Sequence, residues 1–338
     1  MIWVALIIGV ILVLVLQLST TEKALNAIDA DHRPDTRLAE PDTPTTITMT
    51  LLNNSRRLIP FAGIRSHLPF PQQQAYFFSA WLLPRQKLTK KIPVTFTARG
   101  RYVLNDLTVS CGDFLGLKEW EKTCGSFQEV VVPPRPFLSS TVQELMGGFL
   151  GDVSVRRFIL EDPVLTLGYR EYTGSEPMKR ISWSQTARHN TLQVKKSDYT
   201  VEPSVAVVLN VQTDLMDDDV LEACFRAARS VCQALEKAGI RYSFSSNALL
   251  LGYKHSNTGV SGLGQKHFQS ILDLLGRACG EATVSLEQLL EKELQQPGLT
   301  GRILITPGGE ETGIRLLRRM GDDAAFLLIT GKEASQWQ

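Results

Sequence analysis

The sequence predicts an α+β multidomain protein of 338 residues: an N-terminal transmembrane helix, then a β-sandwich, then a doubly wound α/β domain. Three patterns carry that prediction. Ile2 to Leu18 is an apolar run, the stretch from Thr45 to about Val132 alternates apolar and polar residues, and from Val205 onward buried-strand runs alternate with amphipathic helical segments. Length agrees, since about 150 residues per domain gives roughly two folded units. Hydrophobic residues make up 43% and charged residues 21%, which supports ordinary cores and excludes a disordered tail or a multi-span bundle. Lys and Arg total 36 against 35 Asp and Glu, so no global field recruits nucleic acid, and no nucleic-acid partner is expected. Five cysteines, at 111, 124, 224, 232 and 279, are too few and too scattered for a disulfide framework and read as free thiols.

Ile2 to Leu18 contains one strongly polar residue, Gln17. Its length as a helix is about 25 Å, at the low end of what spans a ~30 Å hydrocarbon core. An uncleaved anchor over residues 1–20 is the leading reading. A signal peptide lacks its basic n-region here, since the run begins at Ile2, and a buried helix is the third alternative. Lys23, Arg33 and Arg37 follow the run, which places the later domains in the cytoplasm of a single-pass cell-membrane protein, held to the membrane through residues 2–18.

The β-domain is expected over residues 42–135. Ile47, Met49 and Leu51 interleave with Thr46, Thr48 and Thr50 as on a half-buried strand, and Asn53-Asn54-Ser55 reads as a turn. Comparable runs follow at Ala75 to Leu83, Ile92 to Ala98 and Tyr102 to Cys111. Short strands separated by turns suggest an immunoglobulin-like sandwich, and Pro133-Pro134-Arg135-Pro136 ends it because adjacent prolines cannot continue a ladder.

The α/β domain is expected over residues 202–332. Val205 to Val211 is a continuous apolar run, typical of a strand buried on both faces. Asp217-Asp218-Asp219 then open a helix whose stripe is Leu221, Cys224, Phe225, Ala228, Val231, Cys232 and Leu235, with Gly239 as its stop. Arg241 to Ser246 reads as a strand, Leu263 to Ala278 as a helix, and Ser285 to Gln288 as a capping box. Arg302 to Thr306 and Ala325 to Thr330 are strands flanking a helix from Glu310 to Met320. Residues 138–201, rich in Arg, Gly and aromatics, fit neither pattern.

Within that stretch, Tyr169 to Arg188, followed by Leu192-Gln-Val-Lys195, resembles the signature of the bacterial family called domain of unknown function 58, approximately R-x-Y-x-x-G-D-x-x-R-x-I-x-W-x-x-S-A-R. Arg170, Tyr172, Ile181, Trp183, Ala187 and Arg188 match at the expected spacing; Ser175-Glu176 stands for Gly-Asp, Lys179 for Arg and Thr186 for Ser. Arg99-Gly-Arg-Tyr102 and Asp113-Phe-Leu-Gly-Leu117 resemble two further family elements, and the order of segments agrees over nearly the whole chain. Members usually begin with two closely spaced membrane helices, where this chain has one. The resemblance implies a membrane-tethered protein with a von Willebrand factor A-like α/β domain, often encoded near MoxR-type AAA+ ATPases and transglutaminase-like proteins. It implies no known reaction.

A metal-dependent adhesion site in such a domain would carry D-x-S-x-S at the end of its first strand, to give Mg²⁺ hard oxygen ligands. This chain has Asn210, Gln212 and Asp214 there, and Thr306-Pro307-Gly308 at the later strand end, so the site reads as degraded and no metal or other cofactor is expected. Asp217, Asp218 and Asp219 read as helix capping. In the signature segment, Arg170, Lys179, Arg180, Arg188, Lys195 and Lys196 outnumber Glu171 and Glu176, with Tyr169, Tyr172 and Trp183 interleaved. That composition suits an ion-paired structural brace, a docking surface or a nucleic-acid site. Trp183 and Ile181 alternate with Ser182 and Ser184 as on a strand, which places the indole in a core. The expected division makes Arg170, Tyr172, Glu176, Trp183 and Arg188 structural, and Lys179, Arg180, Lys195 and Lys196 exposed and partner-binding.

Catalytic motifs are missing: the chain holds no G-x-S-x-G, H-E-x-x-H, C-x-x-C, Walker A loop or G-x-G-x-x-G, and its five histidines lie apart. Cys224 and Cys232 fall on the apolar stripe of one helix, where core packing outweighs thiol chemistry. The expected function is a membrane-anchored, non-enzymatic adaptor that docks protein partners through a von Willebrand A-like domain, alongside a MoxR-type AAA+ ATPase. The alternative is a cell-envelope enzyme using residues 169–196 as its substrate site.

Overall fold

A computed structural model of the chain describes residues 2–19, 22–67, 75–113, 118–159, 166–174, 178–197, 203–213, 217–252, 259, 261–294, 299–308 and 325–337. They form mixed α/β structure with several small sheets, divided into two units: residues 1–135 with 272–277, and residues 136–271 with 278–338.

The N-terminal helix corrects the sequence expectation of a transmembrane segment. α1 (Ile2–Ser19) has 18 residues, and its described side chains, Ile2 to Val15, are almost all exposed. At ~1.5 Å per residue it reaches about 27 Å, short of the ~30 Å core that about 20 residues span. Among the described residues no helix is long and apolar enough to cross a membrane.

In the first unit, α2 (Glu22–Ala27) leads into a three-stranded antiparallel sheet of order β1-β2-β5, formed by β1 (Ile28–Pro34), β2 (Pro44–Asn53) and β5 (Lys87–Thr95). A four-stranded antiparallel sheet of order β4-β3-β6-β7 comprises β3 (Ile59–His67), β4 (Ala75–Leu82), β6 (Gly100–Gly112) and β7 (Glu119–Val132). The alternation read at Thr45 has its cause here, because Ile47, Met49 and Leu51 are buried while the threonines between them are half-exposed. Residues from both sheets share one core, including Met49, Leu51, Ile64, Leu82, Leu104 and Val109. β1 was not expected from the sequence. Its inward positions are Ile28, Ala30 and His32, and His32 is admitted because its Nε2 bonds the Leu104 carbonyl at 3.0 Å.

Two pieces of the family-like β-domain motifs are structural. Tyr102 is buried against Phe96, with ring centroids 4.7 Å apart, and donates its hydroxyl to the Ala98 carbonyl at 2.8 Å. Arg101 bonds Glu129 at 2.8 Å, and Glu129 also receives both terminal nitrogens of Arg277, at 2.6 and 3.1 Å. Arg277 Nε reaches Asp273 at 2.9 Å, so the guanidinium is fully engaged. Residues 114–117 of the second motif lie outside the described residues.

The second unit opens with a helix the sequence reading did not place, α3 (Ser139–Ile159), inside the stretch that fitted neither pattern. Val142, Met146, Phe149 and Val153 form its buried stripe at helical spacing. Gly147, Gly148 and Gly151 obscured it, since glycine is a poor helix former.

The signature segment follows as an antiparallel ribbon of β8 (Thr166–Glu171) and β9 (Gln193–Ser197), with a 3₁₀ turn at Met178–Arg180 and α4 (Trp183–His189) between them. Next comes a four-stranded parallel sheet of order β11-β10-β14-β15. Its strands are β10 (Ser204–Leu209), β11 (Arg241–Ser246), β14 (Gly301–Thr306) and β15 (Ala325–Thr330), and β10 is buried along nearly all its length.

α5 (Asp218–Lys237) starts at Asp217, whose carboxylate accepts from the Asp219 and Val220 amides, and ends before Gly239 at φ 67°. The buried face of α5 matches the expected stripe except that Leu221 is half-buried. β12 (Ala248–Leu250) pairs with β13 (Ala278–Ala282), which begins directly after α6 (Gln265–Arg277). α7 (Leu286–Leu294) packs Leu286, Leu289 and Leu290 against Val208 and Leu304. α8 (Gly331–Ala334) closes the chain with a capping box at Thr330 and Glu333. The expected helix from Glu310 to Met320 lies outside the described residues.

Candidate functional site

Two places in the second unit bear on function: the strand ends at which α/β sheets hold ligands, and the signature ribbon. In the order β11-β10-β14-β15 the chain runs from β10 outward to β11 and then returns to β14 on the other side of β10. The carboxyl ends of β10 and β14 therefore flank a switch point, where open α/β sheets bind their ligands.

Asn210 follows β10 there and is fully buried. Its amide nitrogen donates to Thr306 Oγ1 at 3.1 Å and to the Gln212 carbonyl at 3.3 Å. Its Oδ1 accepts from the Gln212 amide at 3.0 Å and from Asn247 Nδ2 at 2.8 Å. Two donors and two lone pairs complete the capacity of a carboxamide, so none remains for an ion. Asn247 extends the network: its Oδ1 accepts from the Val211 amide at 2.9 Å, and its Nδ2 also donates to the Val284 carbonyl at 3.2 Å. Gln212 is exposed, yet its Oε1 accepts from the Leu286 amide at 3.1 Å, tying this loop to the start of α7. The oxygens that would face a metal in an adhesion site are thus occupied by protein donors. Among the described residues no group of three His, Cys, Asp or Glu side chains could hold a metal ion; Asp214 lies outside them.

Asn247 was not anticipated from the sequence. A signal was present in Ser246-Asn247, a polar pair ending a β-strand run and fit to bond neighbouring backbone, but it does not identify a partner 37 residues away.

The signature ribbon brings its cations and aromatics to the surface. In register, Tyr169 faces Lys195 and Arg170 faces Val194. Val194, Ile181, Ser182 and Gln193 are buried, and they hold the ribbon to its own crossover: Ser182 N donates to the Gln193 carbonyl at 2.8 Å, and Gln193 N to Thr186 Oγ1 at 3.0 Å. Lys179, Lys195, Arg170 and Arg188 are exposed, Tyr169 is 44% exposed, and Tyr172 is half-buried. Nothing is described of the side chains of Arg180 and Lys196, and Glu176 lies outside the described residues.

Trp183 corrects the expected division of roles, because it is 62% exposed, and Arg188 is exposed as well, on a helix with no buried residue. The strand reading failed at Ser182. The chain turns into α4 there, each residue rotates by about 100° instead of 180°, and the indole leaves the face that Ile181 occupies. The signals for a helix were Ser182-x-x-Gln185 at its start and Asn190, in the left-handed region at φ 53°, at its end.

Cys224 and Cys232 fit the core reading, since both are fully buried. Burial pushes Cys111 up to about 11 and Cys224 up to about 12, and Cys232 is raised as well, far from the thiolate that nucleophilic chemistry needs. A cleft of about 640 Å³ lined by Val153, Pro203, Ile240, Arg241 and Leu263 lies at the amino ends of β10 and β11, away from the switch point.

No protein-family profile matches the chain, and no curated protein does. Among solved structures, the CARDB domain of a Pyrococcus furiosus protein, in complex with di-metal ions, is 14% identical, with a TM-score of 0.24 over 31% of this chain and 86% of its own. The sporulation control protein Spo0M of Bacillus subtilis is 10% identical, with a TM-score of 0.22 over 43% of this chain and 58% of its own. An exo-chitosanase of Amycolatopsis orientalis is 10% identical, with a TM-score of 0.22 over 90% of this chain and 31% of its own. Likenesses this weak decide neither the fold nor the function of the chain.

Proposed function

We propose that this chain is a non-enzymatic docking protein whose second unit recognises a protein partner through the signature ribbon. The observation that supports it most is the exposed set Tyr169, Arg170, Lys179, Trp183, Arg188 and Lys195 on one short ribbon-and-helix element. Trp, Tyr and Arg are the residue types enriched at binding hot spots, and an indole open to water serves no packing within its own helix. The cations give the surface a preference for an acidic segment, which would neutralise them as the indole is covered. A von Willebrand A-like module with its strand-end site filled by Asn210, Asn247 and Thr306 would have lost metal-dependent adhesion and kept a role in protein contacts. The partner that the family resemblance implies is a MoxR-type AAA+ ATPase.

The test is a calorimetric titration of the purified chain with the MoxR-type ATPase of the same organism. Trp183→Ala and the double variant Lys179→Glu/Lys195→Glu should each weaken binding at least tenfold while melting as the parent does. Full binding by both variants, or no binding by the parent, would remove the proposal.

A further inference from the structure

Among the described residues, the four edge strands of the first unit differ in one respect. Three carry the charges, and two of them the prolines, with which sheet edges avoid other chains. β1 has Asp29, Asp31, Arg33 and Pro34; β5 has Lys87, Lys90, Lys91 and Pro93; β7 has Glu119, Glu121 and Lys122, and a register shift interrupts its pairing with β6. β4, at the end of the four-stranded sheet, reads Ala-Tyr-Phe-Phe-Ser-Ala-Trp-Leu, with no charge, proline or glycine. Its outward positions are Phe77, Ser79 and Trp81, with Leu83 following; Phe77 is 49%, Trp81 65% and Leu83 58% exposed. Its inward positions Phe78 and Leu82 are buried in the core, so the strand is held firmly while its outer face stays open.

From this contrast we infer that β4 is a self-association edge, on which a second copy of the chain adds its own β4 antiparallel to make one continuous sheet across a two-fold axis. Charge selects the occupant. Two copies of β5 paired in this way would set Lys91 against Lys91, whereas two copies of β4 bring no like charges together. Centring the axis on Ser79 gives the longest overlap from Ala75 to Leu83. It sets Phe77 opposite Trp81 of the second copy twice over, and keeps inward residues opposite inward residues. The inference is independent of the proposed docking role, which belongs to the signature ribbon.

The experiment uses the full chain in detergent micelles, which cover the exposed apolar helix α1. Light scattering corrected for detergent should give a dimer mass at tens of micromolar, and Trp81→Lys, which sets lysines near the pairing edge at an exposed position, should weaken dimerisation at least tenfold. Ser79→Cys treated with copper phenanthroline in air should form a covalent dimer rapidly. The parent chain and Arg56→Cys, placed on an exposed turn, should not. A monomer mass for the parent, an unchanged mass for Trp81→Lys, or equal crosslinking at positions 56 and 79 would each overturn the inference. If Trp81→Lys alters the melting curve, Ser79→Lys replaces it in the same comparison.

Discussion

Asn247 and Asn210 each satisfy the other and the backbone around the switch point, so removing one leaves buried groups without partners. Asn247→Ala strands the Val211 amide and should cost about 1–3 kcal/mol, read as a lowered midpoint in a urea titration. Because the Asn210 carboxamide is saturated, millimolar Mg²⁺ should leave the melting temperature unchanged, where an ion at a thousandfold excess over its Kd would add roughly 4 kcal/mol. In the first unit, the hydrogen bonds of Arg277, assisted by Arg101, hold Glu129 down to about 2 against the opposing effect of burial. A carboxylate lowered in the folded state stabilises fully above its unfolded pKa of about 4.3 and loses that contribution as pH falls toward its folded value. Thermal melts between those limits should show the parent losing stability steeply on acidification, and Glu129→Gln, already weaker at neutral pH, losing less over the same interval.

At the scale of elements, α3 offers opposite outcomes for the same substitution. A Cβ added at Gly147, Gly148 or Gly151 would meet no heavy atom within 4 Å, so each change to Ala should stabilise by about 0.5–1 kcal/mol through lost unfolded-state freedom. At Gly301, where β14 begins, the same Cβ would lie 2.7 Å from the Phe149 ring and 3.0 Å from Val153, so Gly301→Ala should destabilise. Melting temperatures of the four variants check both directions. A rise for Gly301→Ala would mean that α3 yields at its contact with the strand. The signature ribbon shows how little separates two readings: one residue into helix at Trp183 moves an indole from an expected core to solvent, and Ile181, two residues earlier, stays buried.

For the whole molecule, the division into units does not follow the order of the chain. Residues 272–277, the last turns of α6, belong with residues 1–135, and there Asp273 and Arg277 complete the network around Glu129 and Arg101. A fragment beginning at Pro136 therefore separates Arg277, whose side chain is 7% exposed, from one of its two carboxylates. Breaking a buried pair costs about 3–5 kcal/mol, so the fragment should melt well below the full chain, and Arg277→Met in the fragment should recover part of the difference. Circular dichroism melts of the three proteins test this, and a fragment as stable as the full chain would contradict it.

Local pattern in the sequence was enough to place β2, β4, β6, β10, β11, β14, β15 and the helices α5 to α7, because periodicity reports which face of an element is buried, while β3 and β7 went unread. Thr45 to Leu51 marks β2, Arg241 to Ser246 and Ala325 to Thr330 are strands at the expected bounds, and Asp217 and Gly239 bracket α5. Where glycine diluted the stripe, as in α3, or where a histidine took an inward position, as His32 did in β1, pattern alone failed. The composition of the candidate sites was likewise legible: an asparagine where an aspartate would anchor a metal, and a ribbon rich in cations and aromatics. Tertiary structure decided the rest. Whether the apolar N-terminal run makes a helix long enough to span, whether Trp183 faces core or water, and that Asn210 is saturated by Asn247 and Thr306 all depend on helix ends and on contacts between residues far apart in sequence. Side-chain periodicity carries no information about those distances, because it records only the alternation of environments along one segment of chain.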